Sequence, residues 1–195
     1  MRQFVVLGHE VPLTADFSLD DLTGVGRLDV LCRCVTSAFC LSHAIRENTR
    51  VWLVLQDEFA IRFEGSELRN LNPDERSTAA LVRGALDGKD GAIGHMAAES
   101  SPGVSISRRG LAGVLDELDG TLLELHEAGE PVVESDVPGD PAFVLSDHRD
   151  FTAREADLLT ERADRRVRLG PERLHADHAI TVAHNWLDTG GFARY

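Results

Sequence analysis

The sequence has 195 residues, of which 43% are hydrophobic and 27% charged, proportions typical of one water-soluble globular domain with a substantial core. The formal net charge is −13, and Lys89 is the only lysine among 20 basic residues, so the basic balance of most nucleic-acid-binding proteins is excluded. An acidic, lysine-poor surface also suits high salt, where screening weakens repulsion between like charges, so acidity is only a weak argument against an RNA partner.

The first quarter of the chain predicts strand, helix and strand. "QFVVLG" (3–8) and "RVWLVLQ" (50–56) are short apolar runs that end at a Gly or a polar residue, a pattern typical of buried parallel strands. Between them, "GRLDVLCRCVTSAFCLSHAIREN" (26–48) places apolar residues from Leu28 to Ile45 on one helical stripe. We therefore expect a largely buried helix through this segment.

A second helix is predicted over "NLNPDERSTAALVRGALDG" (70–88). Asn72 is the expected N-cap and Pro73 suits the first helical position. Asp74 and Glu75 then lie in the first turn, where the positive end of the helix dipole favours carboxylates.

The other predicted elements alternate in the same way. In chain order they are a loop followed by an edge strand (87–107), a helix (108–118), a strand running into a turn (120–130), a strand (142–146), a helix capped by Thr152 (150–163), a strand (166–170) and a final helix capped by Asp177 (177–188).

Strands that alternate with helices predict an α/β fold with a mainly parallel sheet. Ligands of such sheets bind beyond the carboxyl ends of the strands, and three loops qualify, after Leu125, Leu145 and Leu169. The first strand instead runs into "GHEVPL" without a G-x-G-x-x-G turn, which argues against an NAD site or a P-loop.

Metal binding is not favoured by the sequence. "LGPERLHADHAITVAHNWLD" (169–188) carries three histidines, but His178 and His184 are six residues apart and diverge on a helix, and His175 precedes it. The cysteines form no second cluster, and buried thiols are expected at Cys32, Cys34 and Cys40.

Two short motifs allow both a chemical and a structural interpretation. In "SDHRDF" (146–151), Asp147 and His148 suggest acid–base work, although a turn formed by Ser and Asp is favoured because adjacent loop residues rarely face one target. In "PDERS" (73–77), helix capping is at least as well supported as a role in which Arg76 faces an anion.

Four motifs occur in an order that resembles the archaeal tRNA (pseudouridine-54, N1)-methyltransferases of the SPOUT superfamily. They are "GRLDVLCRCVTSAFCLSHAIR", "FEGSELRNLNPDERSTAALVRGAL", "FVLSDH" and "LHADHAITVAHNWLD", and the resemblance extends from Met1 to Asp188. It implies one SPOUT domain over residues 1–195, with a deep trefoil knot in the C-terminal part, about 120–190. It also implies a homodimer whose active sites lie near the subunit interface.

The resemblance implies S-adenosylmethionine as cofactor, held by the three loops at the strand ends. The implied cofactor-binding residues are Leu125, Ser146, Leu169, Gly170, Pro171, Glu172, Arg173, Leu174 and Ala179. Members of the family often have Gly in place of Ser146 and Cys in place of Ala179, so a cysteine at the latter position is not essential to the chemistry.

The implied reaction is methyl transfer to N1 of pseudouridine 54 in the tRNA T-loop, an in-line displacement in which the protein mainly positions donor and acceptor. Candidates on the substrate side are Arg27, Asp29, Asp74, Glu75 and Arg76, and Arg108 and Arg109 are added as phosphate contacts. The sequence identifies no general base. Two alternatives stay open, a SPOUT enzyme acting on pseudouridine in ribosomal RNA and a knotted RNA-binding module without catalysis.

No apolar run is long enough to span a bilayer and "MRQFVVLGHEV" does not resemble a signal peptide, so a cytoplasmic protein with no membrane and no metal partner is expected.

Overall fold

The fold was analysed in a computed structural model that describes residues 1–94 and 96–195. Its strands are β1 (Arg2–Gly8), β2 (Thr49–Leu55), β3 (Phe59–Glu64), β4 (Ala98–Ser101), β5 (Val104–Ser107), β6 (Thr121–Pro131), β7 (Pro141–Ser146) and β8 (Arg165–Arg168). Its α-helices are α1 (Leu28–Phe39), α2 (Glu75–Asp87), α3 (Leu111–Leu115), α4 (Ala153–Arg162) and α5 (Ala176–Asp188). His95, in the predicted loop 87–107, lies outside the described residues.

The eight strands within residues 1–94 and 96–195 form one sheet in the order β4-β5-β3-β2-β1-β7-β6-β8. The five strands from β2 to β8 pair in parallel, whereas β3, β5 and β4 add an antiparallel edge. The predicted α/β class with a mainly parallel sheet is therefore confirmed. The carboxyl ends of β1, β7, β6 and β8 are neighbours, which brings the loops that follow them together.

Helices cover both faces of the sheet because successive strand residues point in opposite directions. In β1, Phe4 and Val6 belong to the core beneath α1, α2 and α5, whereas Val5 and Leu7 pack on the side of α3 and α4. Strands that are buried on both faces need continuous apolar runs, which explains why these runs were recognisable in the sequence. Within the described residues, no helix is long and apolar enough to cross a membrane.

The first helix is shorter than its apolar stripe predicted. Helix α1 ends at Phe39, and Cys40 adopts an extended conformation that forms an antiparallel bridge with Ile45. The amide of Leu41 donates to the carbonyl oxygen of Ala44, which closes a tight turn and leaves Leu41 exposed. The prediction of helix through Ile45 was wrong because apolar spacing alone does not reveal a turn held by local backbone hydrogen bonds.

Two predicted helix caps were also wrong. Asp74, not Asn72, caps α2, since its carboxylate accepts a hydrogen bond from the amide of Ser77 at 2.7 Å, and Pro73 therefore precedes the helix. Helix α5 begins one residue before Asp177, which leaves His175 at the N-cap position without a side-chain cap. By contrast, the predicted Thr152 cap of α4 is confirmed, since its side chain accepts a hydrogen bond from the amide of Glu155.

Candidate active site

A cavity lies beside the middle of β6 and at the carboxyl ends of β7 and β8, the edge at which an open parallel sheet favours ligand binding. Its volume is about 360 Å³. That volume falls within the roughly 300–1,000 Å³ typical of small-molecule sites. Apolar groups from Leu145, Val167 and Ala176 form part of its wall, while carboxylate and guanidinium side chains line the rest.

The three segments that the sequence singled out meet in this cavity. The segment 169–174 forms one side, residues 124–127 of β6 another, and the start of the β7–α4 loop a third. The predicted loop after Leu125 was wrong, because β6 continues to Pro131 through an irregularity in its pairing with β8 between Leu125 and Glu130. The cavity is lined by all nine residues that the family resemblance implies for the cofactor, Leu125, Ser146, Leu169, Gly170, Pro171, Glu172, Arg173, Leu174 and Ala179. Their convergence is a fact of the fold, whereas their contact with a cofactor stays a prediction.

The loop "SDHRD" (146–150) is a turn held by the carboxylate of Asp147. The Asp147 side chain has no exposed surface and accepts hydrogen bonds from the amides of Arg149, at 2.9 Å, and His9, at 2.9 Å. The turn interpretation is thus supported, and an acid–base role for Asp147 is not, because its carboxylate is buried and fully engaged.

His9 is a residue at this edge that the sequence analysis missed. Its imidazole Nδ1 donates to Asp147 at 3.0 Å and its Nε2 to Glu155 of α4, also at 3.0 Å. The hydrogen bond with Asp147 raises the pKa of His9 to about 9, with Glu155 adding to the rise and burial opposing it. His9 is therefore an imidazolium at neutral pH.

A second polar cluster joins α1 to α2 and to the start of α5. Asp29 accepts from the guanidinium of Arg27 at 3.0 and 3.1 Å and from that of Arg33 at 2.9 Å. Arg33 also donates to Glu75 at 3.1 Å and lies 3.6 Å from the carboxylate of Asp177. Because Ala176 lines the cavity, this cluster lies close to it along α5.

Electrostatics fix the charge of the cluster's central carboxylate. Burial acts to raise the pKa of Asp29, but hydrogen bonds from Arg27 and Arg33 outweigh burial and hold the pKa below its ordinary value. A carboxylate with a lowered pKa is a weak proton acceptor, so Asp29 is suited to orienting a donor group rather than to removing a proton.

The remaining substrate candidates are less well placed. Asp74 is committed to capping α2, and Arg76 pairs with Asp20 at an exposed site. The guanidinium of Arg108 lies over the ring of Phe59, 5.0 Å from its centroid, and Arg109 pairs with Glu117. Of the residues named for the substrate, the structure brings together Arg27, Asp29 and Glu75, with Arg33 as the member that the sequence analysis missed.

Nothing in the described part of the chain forms a group of three potential metal ligands. The rings of His175 and His178 pack edge to face, with their centroids 5.9 Å apart. His184 is buried, with 3% of its surface exposed, and hydrogen-bonds to protein atoms. Cys32 and Cys34 are buried, as expected, and burial raises the pKa of both thiols. Cys40 is only half-buried, because it lies beyond the end of α1.

Comparison with known proteins gives consistent matches along the whole chain. The sequence profile of a family described as SAM-dependent RNA methyltransferases matches residues 1–192. A tRNA (pseudouridine(54)-N(1))-methyltransferase of Haloferax volcanii is 67% identical, and one of Haloarcula marismortui 65%, each match covering all of both chains. One of Methanocella arvoryzae is 41% identical over 95% of this chain and 97% of its own.

The fold also resembles a solved structure. Archaeoglobus fulgidus Nep1 bound to S-adenosylhomocysteine superposes with a TM-score of 0.66 at 15% identity, over 95% of this chain and 96% of that one. At such low identity, this likeness concerns the fold alone.

Proposed function

This chain belongs to the family of SAM-dependent RNA methyltransferases, and on that premise we propose that it methylates N1 of pseudouridine at position 54 of tRNA. Relatives that carry this name match 95% to 100% of the chain, which supports the same activity here. The structural observation that carries the proposal is the convergence of the nine implied cofactor residues on one cavity.

The cavity suits S-adenosylmethionine in size and chemistry. Leu125, Leu169 and Leu174 offer apolar surface for an adenine ring, and a Cβ placed on Gly170 would meet no protein atom closer than 4.0 Å, so backbone there is open to a ligand. Arginines and carboxylates at the rim, such as Arg149 and Asp150, suit a ligand that carries charges of both signs. When bound, the cofactor supplies a methyl group on a sulfonium.

The cluster of Arg27, Asp29, Arg33 and Glu75 is our candidate for the substrate side. Arg27 is about a third exposed and can contact a phosphate or a carbonyl oxygen of the base, while Asp29 keeps it in place. The pseudouridine N1–H must lose its proton during methyl transfer, and a guanidinium near the neighbouring carbonyl oxygens would stabilise the charge that develops. This cluster would therefore position the pseudouridine and stabilise its anion, while the N1 proton leaves to solvent water.

Further parts of the proposal concern the assembly. We propose a single SPOUT domain over residues 1–195 whose C-terminal part forms the trefoil knot, and a homodimer with active sites near the subunit interface. Support for the knot is the passage of segment 169–175 beside the ends of β6 and β7 before α5 packs against α1. A tRNA-modifying enzyme of this kind would work in the cytoplasm.

The test is calorimetric titration with S-adenosylmethionine, followed by transfer of a labelled methyl group to tRNA and to a ribosomal RNA fragment that contains pseudouridine. We expect binding and methylation of the tRNA. Absence of cofactor binding would support the RNA-binding module instead, and preferential methylation of the ribosomal fragment would support the ribosomal enzyme.

A further inference from the structure

His9 and Glu10 follow directly after β1 and reach across to the loop that follows β7. His9 contacts Asp147 through its side chain and its amide, and Glu155 of α4 through its other ring nitrogen. One imidazolium thus joins the ends of two neighbouring strands to the first turn of a helix. The side chains of His9 and Glu155 are each 13% exposed and that of Asp147 is 0% exposed, so solvent screens these contacts little.

Glu10 adds contacts to the same loop. Its carboxylate accepts a hydrogen bond from Nε2 of His148 at 3.2 Å and also pairs with the guanidinium of Arg149. We call His9 and Glu10 together the β1 clamp. Three successive residues of the loop, 147–149, are therefore held by two successive residues of the clamp.

The clamped loop is a wall of the cavity. Asp147, Arg149, Asp150 and Phe151 line the cavity, whereas His9 does not. Because the Asp147 carboxylate is buried and bound by the clamp, it fixes the path of the loop rather than contacting a ligand. Any influence of His9 on a bound cofactor must therefore pass through the shape of this wall.

The clamp also touches the turn that presents the substrate cluster. Gly26 has φ +56°, and a Cβ there would lie only 2.0 Å from the carbonyl oxygen of Glu10. The next residue, Arg27, also adopts the left-handed conformation, with φ 61°, and leads directly into Asp29. The backbone of the clamp consequently lies between the cofactor loop and the Arg27–Asp29 pair.

We propose that His9 is a positioning residue that holds the β7–α4 loop in the shape that binds the cofactor. The inference rests on the proposed function and deepens it by naming a residue outside the cavity on which cofactor affinity depends. Without the clamp, residues 147–149 must be ordered on binding, and the conformational freedom they lose weakens cofactor affinity.

The clamp is charged, so alkaline pH should release it. The groups that face His9 are acidic on both packed elements, Asp147 on the loop and Glu155 on α4, and removal of the imidazole proton takes away their counter-charge. The pKa of His9 is raised from 6.5 to about 9. The contribution of the imidazolium to the stability of the folded state is therefore complete below pH 6.5 and is lost as pH rises through about 9. Other charged groups near these residues are Glu10, His148, Arg149, Arg27, Arg154 and Asp57.

The experiment measures the Kd of S-adenosylhomocysteine by calorimetry for the full-length wild type and three variants. His9→Ala removes both ring contacts, and His9→Gln keeps a donor nitrogen in its side-chain amide but does not titrate. His43→Ala is the matched control, since His43 is exposed in the turn between Cys40 and Ile45. Melting curves establish that each variant is folded at the temperature of titration.

We expect His9→Ala to weaken binding at pH 7.5 by about tenfold or more, because the ring contact to Asp147 is lost while Glu10 still contacts residues 148 and 149. His9→Gln should weaken it less, and His43→Ala should match the wild type. Between pH 7.5 and 10, the wild type should lose affinity more steeply than His9→Gln, because only the wild type loses a proton from His9. Titration of the ligand affects both proteins equally and cancels in the comparison.

Two results would overturn the inference while leaving the proposed function intact. One is a folded His9→Ala variant with wild-type affinity, and the other is the same pH dependence in the wild type and His9→Gln. The second comparison decides the matter if His9→Ala does not fold. A wild type that fails to bind the ligand would instead contradict the proposed function, and the clamp inference with it.

Discussion

His184 shows at the scale of one residue why a histidine in the C-terminal segment serves the fold. Its Nε2 donates to the carbonyl oxygen of Ala38 at 3.0 Å, and its Nδ1 accepts from the guanidinium of Arg2 at 3.1 Å. Burial, together with the charges of Arg46 and Arg2, lowers its pKa to about 3. The neutral ring therefore joins α5 to α1 and β1.

We predict that this histidine makes the protein sensitive to acid. An unfolded chain binds a proton at His184 below about pH 6.5, whereas the folded chain does not until about pH 3, so stability falls as pH decreases between these values. Each pH unit in that window costs about 1.4 kcal/mol for this one group. Urea unfolding at pH 6.5, 5.5 and 4.5 should give a steeper loss for the wild type than for His184→Gln, and equal slopes would contradict the account.

The residues that the sequence analysis missed share one property. His9 and Asp147 are 138 positions apart, and Arg33 contacts Glu75 from 42 positions away. Such pairs depend on which loops and helices the topology brings together, and residue spacing carries no information about that. The nine residues implied for the cofactor were named from the family resemblance rather than from their spacing, and their contact with a cofactor stays a prediction.

At the scale of elements, apolar runs predicted the buried parallel strands but not β3. That strand pairs with β2 through a turn in which Gln56 and Asp57 both have positive φ, at 50° and 56°. Hairpin turns of this kind are recognised in sequences by Asn-Gly or Asp-Gly, and neither pair occurs at the turn. An Asp stands at position 57 because its carboxylate accepts a hydrogen bond from the amide of Leu111. Gly110, the residue before Leu111, lies close against the same side chain.

The segment between β8 and α5 provides the sharpest test of the cavity. Gly170 lines the cavity, and a side chain there would enter open space rather than protein. We therefore predict that Gly170→Leu leaves the melting temperature unchanged and weakens S-adenosylmethionine binding by about a hundredfold or more, which is about 2.7 kcal/mol.

The controls for this test are Gly139→Leu and His178→Ala. Gly139 is exposed with open space around its Cβ position, and neither residue lines the cavity. Both variants should bind the cofactor as the wild type does. Normal binding by Gly170→Leu, or loss of binding by His178→Ala, would show that the cofactor site lies elsewhere.

At the scale of the whole molecule, the sheet order explains how distant parts of the sequence contribute to one site. Placing β1 between β2 and β7 sets the N-terminal "GHE" segment beside the loops of the C-terminal third. The same order sets α1, which carries Asp29 and Arg33, against α5, whose first turn carries Asp177. Fold class was predictable from alternating elements, but this order was not.

The chain combines a negative net charge with cationic side chains that are nearly all arginines. With a net charge of −13 and one lysine, most cationic groups are guanidiniums, which hold carboxylates and phosphates in fixed geometry. The cluster of Arg27 and Arg33 is an instance, since both are paired with acids of the same cluster. A local arrangement of this kind can contact RNA although the overall charge is negative.

The central claim is that the protein methylates pseudouridine 54 of tRNA at N1, with S-adenosylmethionine as the donor. Its most direct test is nucleoside mass spectrometry on two matched tRNAs, with pseudouridine or uridine at position 54, each incubated with the protein and the methyl donor. We predict one added methyl group, located at N1, only in the pseudouridine tRNA. Equal methylation of the uridine tRNA, or an unmodified pseudouridine despite measured cofactor binding, would contradict the account.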